Sequence, residues 1–207
     1  NQGLEVSLGL VLVEKKNFGL TFNGNISLNK NLVTSLGGLE KIEAESRWAS
    51  TEIGTDYIVQ KGQPLGNMYG YQSDGFNTVD DFTYDAAKES WVLNEGIANA
   101  SDVIGKDYLR PGAMKLKDQI TEDTDGDGIP DAGDGKINAK DKVIIGNSQP
   151  LGIGGFSLSG YLYGFDFSAN FNYVFGNNIY NANKVEFSHS RKYERRNLLN
   201  TMTTDKR

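Results

Sequence analysis

The residues best suited to chemistry are the carboxylates of an acidic stretch between residues 118 and 142. Asp123, Asp125 and Asp127 occupy alternate positions and are followed by Gly128, the spacing that begins a calcium-binding loop. Carboxylates so spaced can converge on one cation because the backbone curls around it. One structural calcium ion is therefore predicted, with a solvated acidic turn as the alternative. The predicted ligands are Asp123, Asp125, Asp127, the carbonyl oxygen of Ile129, Asp131 or its water, and Asp134.

A similar half-loop starts again at the end of this stretch. The segment from Asp134 to Asp141 repeats the aspartate–glycine start, so a second metal site or a shifted register is possible. Asn138 and Asp141 are the candidate ligands of such a second site. We expect calcium rather than magnesium, because magnesium needs a tighter octahedron and retains more water.

Aromatic residues of the long middle segment form a second group of candidates. Tyr69, Tyr71, Phe76 and Trp91 lie among glycines and polar residues. Exposed aromatic rings could stack on the sugar rings of a substrate, and a small local core is the alternative interpretation.

Composition excludes several classes of protein. The 207 residues contain no cysteine, so thiolate metal sites and cysteine nucleophiles are excluded. The single histidine, His189, would have to serve any Ser-His-Asp triad, and we expect no enzymatic activity. The net charge of −6 argues against nucleic acid as a partner.

Four segments that alternate apolar and polar residues must position these groups. Period two is the signature of a β-strand, because successive side chains leave opposite faces of the sheet. The polar faces carry mainly serine, asparagine, glycine and threonine, and only Glu5 and Asp166 are charged there. The segments are 4–13, 18–29, 156–163 and 165–176.

The joins between these segments favour a membrane barrel. Residues 14–17 and the region around Gly164 form tight turns, whereas more than 100 residues separate the second segment from the third. Short turns at one end and long loops at the other are typical of outer-membrane β-barrels, whose strands need about ten residues to cross a bilayer. Four strands cannot close a barrel, so we expect a piece of a longer protein whose long segments face outward. A soluble calcium-stabilised β-sandwich that binds carbohydrate is the alternative.

Five motifs in fixed order resemble one known family. The chain is similar to the C-terminal barrel portion of the SusC/RagA-type TonB-linked outer-membrane transporters of Bacteroidetes. In this family the acidic loop is usually shorter, so residues 129–133 are interpreted as an insertion. The motifs are KGQPLGNMYGY at 61–71, PGAMKLKD at 111–118, DKVIIGNSQP at 141–150, GFDFS at 164–168 and FGNNIYN at 175–181.

The resemblance implies a fold and partners that composition alone does not provide. It implies a barrel of about 22 strands in contact with membrane lipid in the outer membrane of a Gram-negative bacterium. It also implies a SusD-like surface lipoprotein over the outer mouth. Import of oligosaccharides or peptides would be driven by TonB, which contacts an N-terminal part that this sequence lacks. The expected organisation is a strand hairpin at 1–36, a long extracellular region with the metal loop at 37–153, a second hairpin at 154–181 and the start of the next extracellular loop at 182–207.

Overall fold

A computed structural model describes residues 1–47, 54–187 and 199 of the chain. His189 and most of the expected loop at 182–207 lie outside the described residues.

Strands dominate the described part of the chain. The strands are β1 (Gln2–Lys15), β2 (Phe18–Lys30), β3 (Lys41–Ala44), β4 (Tyr57–Gln60), β5 (Asn67–Tyr71), β6 (Ser73–Phe76), β7 (Phe82–Asp85), β8 (Ser90–Leu93), β9 (Met114–Leu116), β10 (Lys142–Asn147), β11 (Gly152–Leu162) and β12 (Phe165–Phe175). The helices are α1 (Ser101–Ile104) and α2 (Ala182–Phe187), with 3₁₀ turns at Val79–Asp81, Lys106–Tyr108 and Ala139–Asp141. Among the described residues no helix combines the length and the apolar character needed to cross a membrane.

The four long strands form one antiparallel sheet with the order β1-β2-β11-β12. They are 14, 13, 11 and 11 residues long, and each overlaps one of the four segments predicted from alternation, although β11 begins at Gly152, four residues earlier than predicted. The predicted all-β antiparallel fold is confirmed. The order also shows that β11 adds to β2, although the two strands are separated by more than 100 residues in sequence.

The register places the apolar faces of all four strands on one side of this sheet. Leu8 pairs with Gly24, Gly24 with Phe156, and Phe156 with Phe171, so one row crosses all four strands. Every second row repeats the pattern, because side chains two residues apart share a face. Further rows on this face are Leu4, Leu28, Gly152 and Phe175; Val6, Ile26, Gly154 and Tyr173; and Leu10, Phe22, Leu158 and Ala169.

Glycines on β11 make room for aromatic rings on β12. Tyr173 pairs with Gly154, and its hydroxyl donates a 3.0 Å hydrogen bond to the carbonyl of Asn25 on β2. A Cβ at position 154 would overlap that carbonyl oxygen and would lie 2.6 Å from the tyrosine hydroxyl. Gly160 and Phe167 form a second pair of this kind. The alternation of small and large residues therefore lets β12 side chains lie across β11.

A bulge in β1 differs from the strict alternation expected from the sequence. Val11 pairs with Thr21 and Val13 pairs with Leu20, so Leu12 is the extra residue. Because a bulge inserts one residue, it reverses the facing of the residues that follow. Val13 therefore joins the apolar face, contrary to its expected place on the polar face, and β1 continues to Lys15.

The chain divides into two compact units. The first comprises Asn1–Ser46, Thr55–Met68 and Gly146–Tyr180. Besides the long sheet it holds the β3–β4 pairing and the first residues of β5. Within this unit the side-chain amide of Asn147 donates to Asn67 Oδ1 at 2.6 Å and to the Leu65 carbonyl at 3.0 Å, which ties the start of β5 to the end of β10.

The second unit comprises Arg47–Gly54, Tyr69–Ile145 and Asn181–Arg207. Two short antiparallel strand pairs, β6–β9 and β7–β8, lie in it. Its small core consists of Ala100, Leu116 and Ile137, with partly buried apolar neighbours packed around them. Leu116 and Ile137 of this core stand on either side of the predicted metal ligands in the sequence.

Candidate metal loop and aromatic surface

Three of the predicted ligands come together in the acidic loop. Ligand oxygens of Asp123, Asp125 and Asp127 lie within 4.8 Å of one another, and all three side chains are exposed. The loop curls because Gly126 and Gly128 adopt positive φ angles of 80° and 88°, a region that favours glycine. This arrangement has the donor chemistry of a calcium loop.

Backbone amides also bind the first aspartate of the loop. The N–H groups of Gly126 and Gly128 each donate to a carboxylate oxygen of Asp123 at 2.7 Å. These bonds, with Gly128 the larger influence, lower the pKa of Asp123 from its ordinary value. The carboxylate is therefore held in the charged form that a cation requires.

The loop closes on itself before it reaches Asp134. Glu122 and Ala132 form an isolated antiparallel bridge, and the amide of Asp131 donates to the Glu122 carbonyl at 2.7 Å. The Asp131 carboxylate accepts hydrogen bonds from Thr124, including its hydroxyl at 2.7 Å. Asp131 and Asp134 are thus not part of the group formed by Asp123, Asp125 and Asp127. The Ile129 amide donates to Asp127 Oδ1 at 2.8 Å, which keeps that residue in the loop.

Asp134 instead lies beside Asp118 and Asp141, which come from either side of the closed loop. The N–H of Gly135 donates to Asp118 Oδ2 at 2.8 Å. Burial raises the pKa of Asp118, and the carboxylates of Asp141 and Asp134 raise it further, against the lowering by the Gly135 amide. The structure therefore forms a second carboxylate cluster, which we call the base cluster: Asp118, Asp134 and Asp141.

Asn138 and Asp141 are held by a reciprocal cap at the 3₁₀ turn Ala139–Asp141. The Asn138 amide N–H donates to Asp141 Oδ2 at 2.8 Å, and the Asn138 side chain accepts from the Lys140 N–H at 2.9 Å. Asp141 Oδ1 accepts from the Gln119 N–H at 2.9 Å, and Asp141 is completely buried. The side-chain amide of Asn138 points to Asp134 Oδ2 at 3.4 Å, so both candidates for a second metal lie at the base cluster.

Two of the four candidate aromatic residues pack around a lysine. The Lys142 ammonium lies 5.8 Å from the ring centre of Tyr69 and 5.6 Å from that of Tyr71, within cation–π range. Tyr71 also packs against the small core of the second unit. Its pKa is raised, first by burial and then by the nearby charge of Asp141. This pair has a structural role within its unit.

The other two aromatic candidates are accessible. Phe76 pairs with Met114 across β6 and β9, and 46% of its surface is exposed. Trp91 pairs with Tyr84 across β7 and β8, and their rings meet edge to face with centroids 5.1 Å apart. These rings are available to a ligand or a partner.

One curated relative covers most of the chain. A TonB-dependent receptor of Formosa agariphila is 31% identical to it over 194 residues, which span 87% of this chain. The chain is homologous to TonB-dependent receptors. The resemblance seen in the motifs is confirmed at the level of this receptor class. No family model matches the chain.

The aligned region is a small part of that TonB-dependent receptor. The chain spans 17% of the length of the relative. Homology to such a receptor fits an antiparallel sheet of four long strands, since strands of about ten residues are what a transmembrane barrel needs.

Sequence reasoning missed one member of the base cluster. Asp118 ends the motif at 111–118 and belongs to the acidic stretch, but no spacing rule connects it with Asp134, 16 residues later. The interpretation of residues 129–133 as an insertion could have linked Asp118 with Asp134. If these residues are an insertion, the segments before and after them belong to one shorter loop.

Proposed function

We propose that this chain forms part of the wall of an outer-membrane transport barrel. The observation that supports this proposal most directly is the register of the long sheet, which aligns the apolar faces of β1, β2, β11 and β12 on one side. Homology to a TonB-dependent receptor supports the same conclusion.

The apolar face has the exposure that a lipid-facing surface requires. About half of the surface of Leu8 and of Phe171 is open, at 52% and 51%. Lipid contact would remove this apolar area from water. The outer edges of β1 and β12 would pair with neighbouring strands of the longer protein, because unpaired backbone groups in lipid cost several kcal/mol each.

The sandwich alternative has less support. A sandwich covers its apolar face with a second sheet, whereas Leu8 and Phe171 in the long sheet stay half exposed. The curated relative is named a receptor and not a carbohydrate-binding module. Homology to a receptor also favours transport over an enzymatic role.

The transported nutrient is proposed to be an oligosaccharide or a peptide, delivered with a SusD-like surface lipoprotein and imported with energy from TonB. The exposed rings of Phe76 and Trp91 support this substrate class, because aromatic faces can stack on sugar rings or pack against apolar side chains. Tyr69 and Tyr71 are better explained by their contacts with Lys142.

The acidic loop is proposed to bind one structural calcium ion. Asp123, Asp125 and Asp127 would supply carboxylates, and the Ile129 carbonyl is the fourth protein ligand expected from the spacing. The closeness of the three carboxylates supports this, since a cation would relieve their repulsion. The ion would stiffen a glycine-rich extracellular segment and would take no part in catalysis.

Fractionation of the native host tests the transporter proposal. We expect the full-length protein in the outer membrane, extractable only with detergent, and co-purified with a surface lipoprotein. Recovery of the full-length protein in the soluble fraction would contradict it. Trp91→Ala and Phe76→Ala should reduce uptake of the receptor's nutrient, while Val79→Ala, at another exposed apolar position in the second unit, should leave it unchanged.

A further inference from the structure

The charged residues of the long sheet are divided between its two faces by sign. The register places three carboxylates on the polar face and two lysines on the apolar face. Both lysines are exposed, and neither forms an ion pair with any residue that the structure describes. The apolar face is therefore positive wherever it is charged. The carboxylates are those of Glu5, Glu14 and Asp166, and the lysines are Lys15 and Lys30.

The bulge at Leu12 produces this division at one end of β1. Before the bulge the odd-numbered residues of β1 lie on the polar face, so strict alternation would place Lys15 there and Glu14 on the apolar face. The extra residue exchanges the two positions. Glu14 pairs with Gly19 and lies on the polar face, and Lys15 lies opposite Phe18 on the apolar face. The bulge thus keeps a carboxylate off the apolar face and puts an ammonium group on it.

The two lysines stand at opposite ends of the apolar face. Lys30 ends β2 beside the long middle segment, and Lys15 ends β1 beside the tight turn. Phe18, the cross-strand partner of Lys15, lies twelve positions before Lys30 on β2. That length spans roughly 40 Å along a strand and roughly 30 Å across a bilayer at a tilt of about 40°. The hydrocarbon core of a bilayer is about 30 Å thick, so the two ammonium groups match its two surfaces.

The surface between the two lysines carries no charge. Every row of the apolar face between them is formed by apolar residues, glycine or tyrosine. The stem of a lysine can lie along such a surface while its ammonium group reaches the polar region beyond it. Each ammonium group therefore borders a hydrocarbon-facing surface and has no protein counterion among the described residues.

We propose that Lys15 and Lys30 bind the phosphate groups of membrane lipids, one at each surface of the outer membrane. Lys30 binds the phosphorylated glycolipid of the outer leaflet, because it lies beside the long segment. Lys15 binds phospholipid of the inner leaflet, because it lies beside the tight turn. A lipid phosphate is the anion that borders hydrocarbon at this depth, and a lysine near such a surface is attracted to it. Contacts at both ends fix the depth and tilt of the sheet in the bilayer.

The inference rests on the proposed function, since it requires the long sheet to lie in a membrane. The reverse does not hold. A transmembrane sheet whose lysines contact only water would leave the transporter proposal intact. The test therefore has to measure lipid contact at each end of the sheet in a receptor that has been shown to insert.

Fluorescence quenching by spin-labelled lipid tests the two ends separately. The full-length receptor, freed of other cysteines, carries a fluorophore on Gln2→Cys, the cross-strand partner of Lys30, or on Asn17→Cys, in the turn after Lys15. It is reconstituted in phosphatidylcholine vesicles that contain spin-labelled phosphatidic acid or spin-labelled phosphatidylcholine. Phosphatidic acid exposes its phosphate, whereas phosphatidylcholine covers it with a cationic group. The ratio of quenching by the two lipids measures the local preference for an exposed phosphate.

Each lysine should determine this preference only at its own end. Lys30→Gln should lower the preference at position 2 about fivefold, the effect of one lysine near an anionic surface, and leave position 17 unchanged. Lys15→Gln should do the reverse, so each variant is the control of the other. Lys30→Arg should retain the preference, because arginine keeps the charge. Lys30→Gln/Asn29→Lys moves the charge to the polar face and should not restore the preference.

An unchanged preference in both Lys30→Gln and Lys15→Gln would overturn the inference, and a loss at one end alone would overturn the assignment of the other lysine. Full restoration in Lys30→Gln/Asn29→Lys would show that charge on either face suffices and would overturn a site on the apolar face. A wild-type receptor that does not insert into the vesicles would contradict the proposed function itself. A receptor that inserts but shows no lipid preference at either end would contradict this inference alone.

Discussion

Phe156 and Phe171 are cross-strand partners whose rings stack with centroids 4.7 Å apart and planes inclined by 17°. The ring of Phe22 on β2 stacks on the other side of Phe156, with centroids 6.2 Å apart. Three rings therefore cross β2, β11 and β12 on the apolar face. Side-chain pairs of this kind stabilise neighbouring strands and help to fix their register.

Arginine substitutions can test whether this aromatic row faces lipid. Phe171→Arg should cost about 2–4 kcal/mol of folding free energy if the row lies near the middle of the bilayer. Asn172→Arg, one residue along on the polar face, should cost far less. The measurement is the free energy of unfolding of the receptor in lipid vesicles. Equal tolerance at the two positions would remove the argument for a lipid-facing side.

The hydroxyl of Tyr173 provides a second test of the sheet. Tyr173→Phe removes its bond to the Asn25 carbonyl and should lower stability by about 0.5–1.5 kcal/mol, the usual net value of one hydrogen bond. Tyr163→Phe is the control, because Tyr163 is 75% exposed. Denaturant titration of both variants measures the difference. An equal loss of stability in Tyr163→Phe would show that the hydrogen bond of Tyr173 adds no measurable stability to the sheet.

Gly160 should tolerate no side chain. A Cβ there would overlap the carbonyl oxygen of Gly19 and lie 2.8 Å from the ring of Phe167. Overpacking of this kind costs about 1–3 kcal/mol, so Gly160→Ala should lower the melting temperature clearly. Gly9→Ala should be milder, since its Cβ would approach only the movable side chain of Asn23, at 3.0 Å. Thermal unfolding compares the two, and a milder loss for Gly160→Ala would be contrary to the observed packing.

The long sheet was predictable in part. Alternation identifies β1, β2, β11 and β12 because one apolar face repeats every two residues. The pairing of β2 with β11 was not predictable, because no local pattern specifies contacts across more than 100 residues. The bulge at Leu12 was also hidden, since Val11 and Val13 are equally apolar and suit either face.

The closeness of the Asp123, Asp125 and Asp127 carboxylates was predictable from the sequence, whereas the position of Asp134 was not. The spacing of Asp123, Asp125 and Asp127 reflects local curling of the chain, and their convergence follows from it. Asp134 stands at the last position of the twelve-residue spacing and was therefore expected in the same loop. The bridge between Glu122 and Ala132 closes the loop earlier, and a backbone pairing of this kind has no sequence signature.

Loss of calcium should loosen the acidic loop and leave the strands intact. The double variant Asp125→Asn/Asp127→Ala should be cleaved faster than the wild type between residues 122 and 132 when calcium is present. Its cleavage rate should equal that of the wild type after a chelator has removed calcium. The reason is that a structural ion holds the loop by its ligands. Gel analysis of the fragments measures cleavage, with Asp102→Asn as control. Identical cleavage of the wild type with calcium and with chelator would show that the loop binds no structural ion.

The most direct test of the membrane proposal is labelling of single cysteines on intact cells. The segment itself contains no cysteine, and Asn17 in the tight turn and Lys88 in the β7–β8 turn are both exposed. In a full-length receptor without other accessible cysteines, a membrane-impermeant maleimide should modify Lys88→Cys on intact cells. It should modify Asn17→Cys only after the cells are lysed, because short turns of outer-membrane barrels face the periplasm. Labelling of Asn17→Cys but not Lys88→Cys on intact cells would contradict the proposed orientation, and equal labelling of both would contradict a transmembrane sheet.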